Sequence, residues 1–409
     1  MFLDLCKLGS LKEINDAINN GADVNARDDA GVTALIWAAR HNPNPEVLTA
    51  LLQAGADINA QTDKGLTALM ATADCSSDLE ALEVLINAGA NVNAQNHDGE
   101  TALMWAAERN SNPEVLKALV HAGADVNARS SDDRTALMWA AENNSSPEVL
   151  KALIQAGADV NERTDKGMTA LIRAAENNSN PEVLKALLQA GANVNAQTNK
   201  GVTALMAAAC KNPNLEVLTA LIQADAGPEA LRSNVNARTD HGWTALMMAA
   251  STNPNPEVLT TLINAGAGPK VLRSNINARD NDGWTGLMMA AHANPNPKVL
   301  TVLLNAGADV DVRDSGGQTP LMLAAQHNSN PKVLTALINA GAEVNVQDDE
   351  GLTALMTAAA ENPNPKVITT LLRAGADPEA RDKYNKRAID HAIANKNISA
   401  FWQLNDVSR

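Results

Sequence analysis

The chain has 409 residues, 47 of them acidic and 32 basic, and its formal net charge of -15 opposes binding to the phosphate backbone of nucleic acids. Hydrophobic residues make up 45% of the chain but aromatic residues only 2%, so a core must be assembled from Ala, Leu, Val, Ile and Met. This composition excludes a disordered chain, and no apolar run approaches the roughly 20 residues of a membrane-spanning helix.

The first part of the chain, residues 1–25, predicts a pair of short helices. Apolar side chains recur there at helical spacing, and a Gly-Ala-Asp-Val-Asn segment closes the region at Asn25. Asp4 and Lys7 interrupt the continuous apolar stretch that a secretion signal requires. We therefore expect a cytoplasmic protein.

The cysteines agree with a reducing compartment. The chain has three of them, an odd number at distant positions, which favours free thiols over a disulfide framework. They are Cys6, Cys75 and Cys210.

From Thr33 onward the chain repeats itself. Ten threonines open Thr-Ala-Leu or closely related segments, at intervals of 34 residues except for two intervals of 41. Such a period means that each repeat is one supersecondary element that must stack on its neighbours. The threonines are Thr33, Thr67, Thr101, Thr135, Thr169, Thr203, Thr244, Thr285, Thr319 and Thr353.

Each repeat begins with a turn and a short first helix. In residues 99–132, Leu103, Ala106, Ala107 and Asn110 share one face of a helix that starts near the threonine. Counting the threonine as position zero, positions 2, 5, 6 and 9 face the core. Positions 4, 7 and 8 are left on the opposite side.

A second helix follows in every repeat. In the same repeat Asn112 is placed as its N-cap, Pro113 as its first residue, and Gly123 as the left-handed residue after its end. An extended Val-Asn-Ala segment and a turn then lead to the next repeat. The N-cap position is filled elsewhere by Asn44, Asp78, Ser146, Asn180, Asn214, Asn255, Asn296, Asn330 and Asn364.

These residues resemble the ankyrin repeat. The likeness rests on Asp28-x-x-Gly31-x-Thr33-Ala-Leu, the Ala-Ala pair, the Leu-Leu of the second helix and the Ala-Gly-Ala-Asp-Val-Asn-Ala segment, and it covers nearly the whole chain. Two departures stand out: the family period of 33 is lengthened by one residue in the Asn-Pro-rich loop between the helices, and the family's Thr-Pro-Leu survives only at Thr319-Pro320-Leu321.

The resemblance implies an all-α solenoid with short β-hairpin turns. About ten internal repeats would occupy residues 26–381, between an N-terminal capping helix pair in residues 1–25 and a C-terminal capping repeat in residues 382–409. In the latter, Arg387 replaces the repeat threonine. Atypical terminal repeats keep the last apolar faces from water. Asn-Pro-rich arrays of this kind resemble those of bacteria.

No catalytic or metal-binding motif is present in the sequence. The seven histidines never form a His-x-x-x-His pair or stand beside a cysteine cluster, and no nucleophile elbow, phosphate-binding loop or dinucleotide-binding glycine motif occurs. We expect a non-catalytic protein without a cofactor. An unrecognised enzyme stays as an alternative.

The outward positions of repeats three to five differ from those of the other repeats. They combine large aromatic and charged side chains, as a shelf of tryptophan beside a ladder of glutamates, and Trp37 stands at the same position of repeat one. The resemblance places these positions in a concave groove, where they suit a basic segment of a partner protein. The alternative is packing between repeats beside a solvated acidic face. The residues are Trp105, Glu108, Arg109, Trp139, Glu142, Arg173 and Glu176.

Repeats seven and eight form a second candidate surface. Both 41-residue intervals come from insertions, near residues 227–233 and 268–274, and each insertion precedes a hairpin tryptophan, Trp243 or Trp284. Met248 and Met289 occupy position 4 of these repeats. The insertions either bind a partner or fold back over the two tryptophans.

The residue that follows the start of each second helix changes sign along the chain. It is acidic through repeat seven and basic afterwards, which either orients a partner or another copy of the chain or is neutral variation on a solvated surface. The series is Glu46, Glu80, Glu114, Glu148, Glu182, Glu216, Glu257, Lys298, Lys332 and Lys366.

Taken together, the sequence predicts a monomeric protein-interaction module that binds neither nucleic acid nor membrane. It would serve as a bacterial effector exported to a host cell, as an immunity partner or as a scaffold. A structural or self-assembling rod is the alternative.

Overall fold

The computed structural model of the protein describes residues 2–75, 79–224, 235–265 and 276–407. The chain divides into two compact units, Met1–Thr198 and Asn199–Arg409. The insertions expected near residues 227–233 and 268–274 lie outside the described residues, and so does the question of whether they cover Trp243 and Trp284.

The described part of the N-terminal unit contains twelve helices. They are α1 Phe2–Leu8, α2 Leu11–Asn19, α3 Ala34–His41, α4 Pro45–Gln53, α5 Ala68–Cys75, α6 Leu79–Asn87, α7 Ala102–Arg109, α8 Pro113–His121, α9 Ala136–Asn143, α10 Pro147–Gln155, α11 Ala170–Asn177 and α12 Pro181–Gln189.

The described part of the C-terminal unit contains another twelve. They are α13 Ala204–Lys211, α14 Leu215–Ala224, α15 Ala245–Thr252, α16 Pro256–Ala265, α17 Gly286–Ala293, α18 Pro297–Asn305, α19 Pro320–His327, α20 Pro331–Asn339, α21 Ala354–Glu361, α22 Pro365–Arg373, α23 Ala388–Ala394 and α24 Ile398–Val407.

Within each unit the helices form two layers. The first helices of successive repeats pack side by side, as α7 does against α9, and the second helices do the same, as α8 does against α10. Each first helix also packs against the second helix of its own repeat. This arrangement is the all-α solenoid of stacked helix pairs that the sequence predicts.

The turns between repeats contain no strand in the described ranges. In the first of them, the backbone N–H of Asp28 bonds the carbonyl of Val32 at 3.1 Å, and Arg27 and Thr33 form an isolated antiparallel bridge. The loop is therefore a hairpin too short to form a ladder. Successive loops are joined by a further backbone bond, for example from Asp63 N to the carbonyl of Ala30 at 3.1 Å.

Close stacking of these loops explains the glycine in the Asp-x-x-Gly motif. Gly31 has φ of +74°, and a Cβ at this position would lie 2.5 Å from Oδ1 and 2.9 Å from N of Asp63. Both the backbone conformation and the space exclude a larger residue. In repeat four the same position is held by Asp133 at φ 63°, and there Asp165 N bonds the Asp133 side chain at 3.3 Å.

The helix starts follow from their caps. The side chain of Thr101 accepts a hydrogen bond from Met104 N at 3.4 Å, and that of Asn112 accepts one from Glu114 N at 3.1 Å. Pro113 occupies the first turn, where its missing N–H has no cost. Ser146 departs from the prediction: it stands at the N-cap of α10 but makes no capping bond, and its hydroxyl bonds Glu148 at 3.2 Å.

The core consists of small and branched aliphatic side chains. In repeat three, Leu103, Ala106 and Ala107 on the first helix and Leu116 and Leu119 on the second are all at most 1% exposed. This confirms the face predicted from the helical period. In the N-terminal helix pair, Cys6 is also buried, and burial raises the pKa of its thiol to about 11.

A ladder of buried asparagines joins the ends of the first helices. The Asn144 side chain donates to the carbonyls of Ala107 at 3.0 Å and Asn110 at 2.9 Å in the preceding repeat, and it accepts from Ser146 N at 2.9 Å. Asn294 does the same with Ala250, Asn253 and Asn296. Equivalent bonds to the preceding repeat are made by Asn42, Asn110, Asn178, Asn253, Asn328, Asn362 and Asn397.

The ladder predicts a large stability effect. Replacing Asn294, which is fully buried, by Ala leaves two carbonyls and one N–H without a partner, so we expect a loss of about 2–4 kcal/mol in the free energy of unfolding. Urea denaturation followed by circular dichroism measures the loss. The exposed Asn339→Ala is the control and should shift the midpoint little. Equal midpoints for the two variants would contradict the structural role of the ladder.

Candidate functional site

The indole of Trp105 is anchored by acidic neighbours. Its Nε1 donates to Glu100 Oε2 at 3.1 Å, and the same carboxylate oxygen accepts from Asn96 Nδ2 at 2.8 Å. The guanidinium of Arg109 lies over the ring at 5.5 Å from its centroid. Trp105 is half-buried, so part of it faces solvent as predicted.

Arg109 holds two carboxylates beside the ring. It pairs with Asp74 Oδ1 at 3.0 Å and with Glu108 Oε2 at 3.3 Å, while 54% of its own side chain is exposed. The charge of this corner is therefore acidic: one guanidinium serves two carboxylates, and a third carboxylate, that of Glu100, accepts from the indole N–H.

The surroundings of Glu108 disfavour its ionised form. Burial raises its pKa above the ordinary value, and the negative charges of Glu100, Asp74 and Glu142 raise it further against the opposing effect of Arg109. The carboxylate also accepts a bond of 3.4 Å from Asn143 Nδ2 of the next repeat. An additional cation beside Glu108 would interact favourably with four carboxylates, namely Glu108 itself and its neighbours Asp74, Glu100 and Glu142.

Repeat four contains a denser charge cluster. Oε2 of Glu142 accepts from Nη1 of both Arg173, at 2.7 Å, and Arg134, at 3.2 Å. Arg134 also lies over the Trp139 ring at 4.3 Å from the centroid and pairs with Asp132 at 2.6 Å. Glu142 is thus neutralised by two arginines of the chain itself.

Trp139 differs from the other tryptophans of this row. Its buried Nε1 has no hydrogen-bond acceptor in the described residues, and neither has Nε of Arg173. Arg134 stands where repeat three has Glu100, so Trp139 has gained a cation over its face and has no acceptor for its N–H.

Trp37 in repeat one is enclosed in a similar way. Its Nε1 donates to Asp28 at 3.0 Å, His41 stacks on it at 5.3 Å, and Lys7 lies over the ring at 4.0 Å. A cation of the chain itself therefore covers each of the three tryptophans predicted to receive one from a partner.

An open groove lies between repeats three and four, next to Glu108. Its volume is about 390 Å³, and its lining is polar, with the charges of Glu108 and Arg109 at one side. The remaining lining residues are Ser111, Asn143, Asn144 and Ser145. Polar side chains of this kind suit the backbone of an extended peptide.

The structure brings most of the residues predicted for repeats three to five onto one surface of the N-terminal unit, which we call the Trp105 surface. It adds Asp74, Glu100, Arg134 and Asn143. The sequence carries a signal for two of these. The residue before the repeat threonine is apolar in most repeats but is Glu100 in repeat three and Arg134 in repeat four. Glu176, at the end of α11, is half-buried.

The second predicted surface, in repeats seven and eight, is less open than expected. Met289 is only 3% exposed, so the expectation that it faces outward is wrong. Trp284 packs on Met288, Val312 and Leu323, across to the following repeat. Position 4 is likewise buried where it holds Ala71, Ala207, Leu323 or Thr357, because neighbouring first helices pack side by side and cover the side chain there.

Trp243 and Met248 keep partial exposure. Both are half-buried, and Nε1 of Trp243 donates to Asp280 of the next repeat at 3.0 Å. Repeats eight and nine place two imidazoles together beside Trp284: the rings of His292 and His327 lie 4.4 Å apart, and Trp284 meets His292 edge-on at 5.4 Å. Burial lowers the pKa of His292, and the charge of His327 lowers it further.

Two further kinds of functional feature are absent from the described residues. Within the described ranges, no group of three or more His, Cys, Asp or Glu side chains is arranged to hold a metal ion. None of the helices in those ranges combines the length and the apolarity needed to cross a membrane.

Neutralising Glu108 should stabilise the protein. Its pKa is raised in the folded state, so its ionisation opposes folding as the pH rises through that value. We expect Glu108→Gln to increase the melting temperature at pH 7, and the difference from wild type to vanish below the ordinary glutamate pKa of about 4.3. Thermal melts at both pH values measure this. The control is Glu114→Gln at an exposed helix start, which should lower the melting temperature slightly.

The titration of His292 should respond to the loss of the neighbouring imidazole. His327→Gln removes the like charge beside His292, so the pKa of His292 should rise but stay below its ordinary value because burial persists. Imidazole resonances followed by NMR across pH 4 to 8 measure it. An unchanged His292 titration in the variant would contradict the contact.

The comparisons with known proteins agree with the architecture. The family model described as ankyrin repeats, in three copies, matches residues 5–96, 37–130, 103–198, 171–273, 269–348 and 321–406. The overlapping matches extend over nearly the whole chain. A search of curated proteins finds no match.

Proposed function

The chain belongs to the ankyrin-repeat family, whose repeats are generally protein-interaction modules and typically non-catalytic, and from this premise we propose that it binds a basic segment of a partner protein at the Trp105 surface. The proposal assigns it no reaction of its own. It requires only a single copy of the chain, acting in the cytoplasm or, after export, in a host cell.

The observation that carries the proposal is the excess of carboxylates around Glu108. Asp74 and Glu108 both pair with Arg109, and Glu100 accepts from the indole N–H of Trp105. The pKa of Glu108 is raised by burial and by these acidic neighbours. A lysine or arginine from a partner would reduce this repulsion and form charge-assisted hydrogen bonds in a partly desolvated place. The same cation would be repelled at Glu142, where two arginines already stand.

Exposure of the intramolecular cations selects the anchor. Arg109 over Trp105 is 54% exposed and lies 5.5 Å from the ring centroid, whereas Arg134 over Trp139 is 20% exposed and lies at 4.3 Å. A partner can displace the first more easily than the second. We therefore assign binding of the partner's cation to Trp105 and Glu108. Trp139 would line the same surface and donate its N–H to an acceptor on the partner.

The reach of the surface fixes the length of the bound segment. Repeats three to five are stacked at about 10 Å intervals, so about 20 Å separates the outer two. An extended peptide of roughly six residues covers that distance. The polar groove next to Glu108 would take its backbone, and the cation would point toward Trp105.

The biological setting depends on which protein carries this segment. An effector would bind a host protein, an immunity partner would cover a toxin, and a scaffold would hold proteins of its own cell. The basic segment is common to the three settings, so a single binding experiment tests the part that they share.

Binding to labelled peptides of about ten residues tests the proposal. We expect sequences with Lys or Arg to bind with a strong salt dependence and a matched set with Asp or Glu not to bind. Trp105→Ala and Glu108→Gln should each weaken binding about tenfold or more. Fluorescence anisotropy measures the affinity.

The controls separate binding from folding. Glu108→Gln is expected to stabilise the fold, so weaker binding by this variant reports the site and not its collapse. Glu114→Gln lies on the outer helix layer and should bind as the wild type does. Unchanged affinity in both Trp105→Ala and Glu108→Gln would reject the proposal.

A further inference from the structure

The outer helices of the C-terminal unit present a face unlike that of the N-terminal unit. In α8, α10 and α12 every helix carries a Glu and a Lys three residues later, and these pair with each other, as Glu114 does with Lys117 at 2.7 Å. In α14, α16, α18 and α20 the lysine is replaced by threonine, and a single charged residue remains on each helix.

The hydroxyl groups of these threonines form hydrogen bonds with the backbone of their own helices. The hydroxyl of Thr301 donates to the carbonyl of Pro297 at 3.0 Å, and that of Thr335 to Pro331 at 3.0 Å. Thr219 and Thr260 make the same bond one turn back, at 3.0 and 3.2 Å. With the hydroxyl satisfied by its own helix, each threonine adds a methyl group to the face, which becomes depleted of charge in the way that the centres of protein interfaces are.

The four remaining charges reverse sign at the middle of this face. Glu216 and Glu257 lie in the first turns of α14 and α16. Lys298 and Lys332 lie in the first turns of α18 and α20. All four are exposed, and none has an ion-pair partner among the described residues. A lysine in the first turn of a helix opposes the helix dipole, so the inversion has a cost in each monomer. Lys366 of α22, the next outer helix beyond this face, continues the basic series.

We propose that this face binds the same face of a second copy, in a two-fold symmetric dimer. A two-fold axis parallel to the helices, placed between α16 and α18, reverses the order of the helices while keeping their direction. Glu257 then faces Lys298 of the second copy, and Glu216 faces Lys332, with each pair formed twice. The monomer that the sequence predicts is the opposing outcome of the experiment below.

The self-complementary order distinguishes a second copy from an acidic partner. An acidic protein would satisfy Lys298 and Lys332 but would meet Glu216 and Glu257 at like-charge distance on the same face. A second copy satisfies all four charges. A shallow groove between α18 and α20, of about 430 Å³ and lined by Thr301, Leu304, Thr335 and Ala336 among others, gives the face relief for packing.

The size of the face sets the strength of the dimer. Four helices of nine or ten residues, each about 14 Å long and spaced by about 10 Å, give a patch of roughly 560 Å² per copy. Summed over both copies, the buried area is about 1,100 Å², which is at the low end of specific interfaces. The dimer should therefore be weak, with dissociation in the micromolar range and a strong dependence on salt.

Charge swapping tests the interface with the full chain. We expect sedimentation velocity at low salt to show wild type passing from monomer to dimer over micromolar concentrations. Lys298→Glu with Lys332→Glu should stay monomeric, and so should Glu216→Lys with Glu257→Lys. An equimolar mixture of the two double variants should regain the dimer, because each of the four glutamates of one variant then faces a lysine of the other.

The matched control is Glu114→Lys with Glu148→Lys, which makes the same change at the same helix position of the N-terminal unit and should dimerise as wild type does. Circular dichroism melts confirm that each variant folds, and the Lys→Glu pair should melt slightly higher than wild type because it favours the helix dipole. A wild-type protein that stays monomeric up to millimolar concentration overturns the proposal. Dimerisation that both double variants retain also overturns it.

Discussion

The stacking of this protein depends on an amide that recurs in all but one of the internal repeats. An asparagine follows the first helix everywhere except in repeat two, where the sequence has Ser76. Asn294 shows its role: it donates to the carbonyls of Ala250 and Asn253 in the preceding repeat and accepts from the backbone N–H of Asn296 in its own interhelix loop. These carbonyls belong to helix ends and have no partner within their own helix, and they are buried by the next repeat. The amide thus removes the polar cost of stacking and at the same time shapes the loop that places the next cap.

Because the scaffold satisfies its own polar groups, chemistry on its surface depends on the few positions that neighbours leave uncovered. Repeats three and four illustrate how strongly the chain neutralises even these positions. Arg134 and Arg173 form ion pairs with Glu142. Cations of the chain also lie over the rings of Trp37, Trp105 and Trp139. The exception is the corner around Glu108, where the carboxylates outnumber the cations. Such an imbalance gives a cationic partner an electrostatic advantage that a neutralised surface does not offer.

Much of the fold was predictable, because repetition multiplies weak local signals. A single Thr-Ala-Leu or Asn-Pro segment says little, but ten occurrences at a fixed period define the helix pair, its caps and its core face. The departures arise where a repeat substitutes a residue that changes a local contact. Ser146 fails to cap because its hydroxyl turns to Glu148, and Met289 is buried because adjacent first helices close over position 4. Site residues such as Asp74 and Asn143 belong to neighbouring repeats, and the helical wheel of one repeat cannot show contacts that form between repeats.

The amino-acid sequence by itself determined the period, the two helices of each repeat and the aliphatic core, because these depend on spacing and on local preferences that act within about ten residues. The tertiary structure decided which of the outward side chains are free. It placed Arg134 over Trp139, left Glu108 among excess carboxylates and turned the threonine hydroxyls of the C-terminal unit back onto their own helices. Each of these outcomes depends on distances between side chains of different turns or repeats. Charge and burial act through those distances, which a linear pattern does not contain.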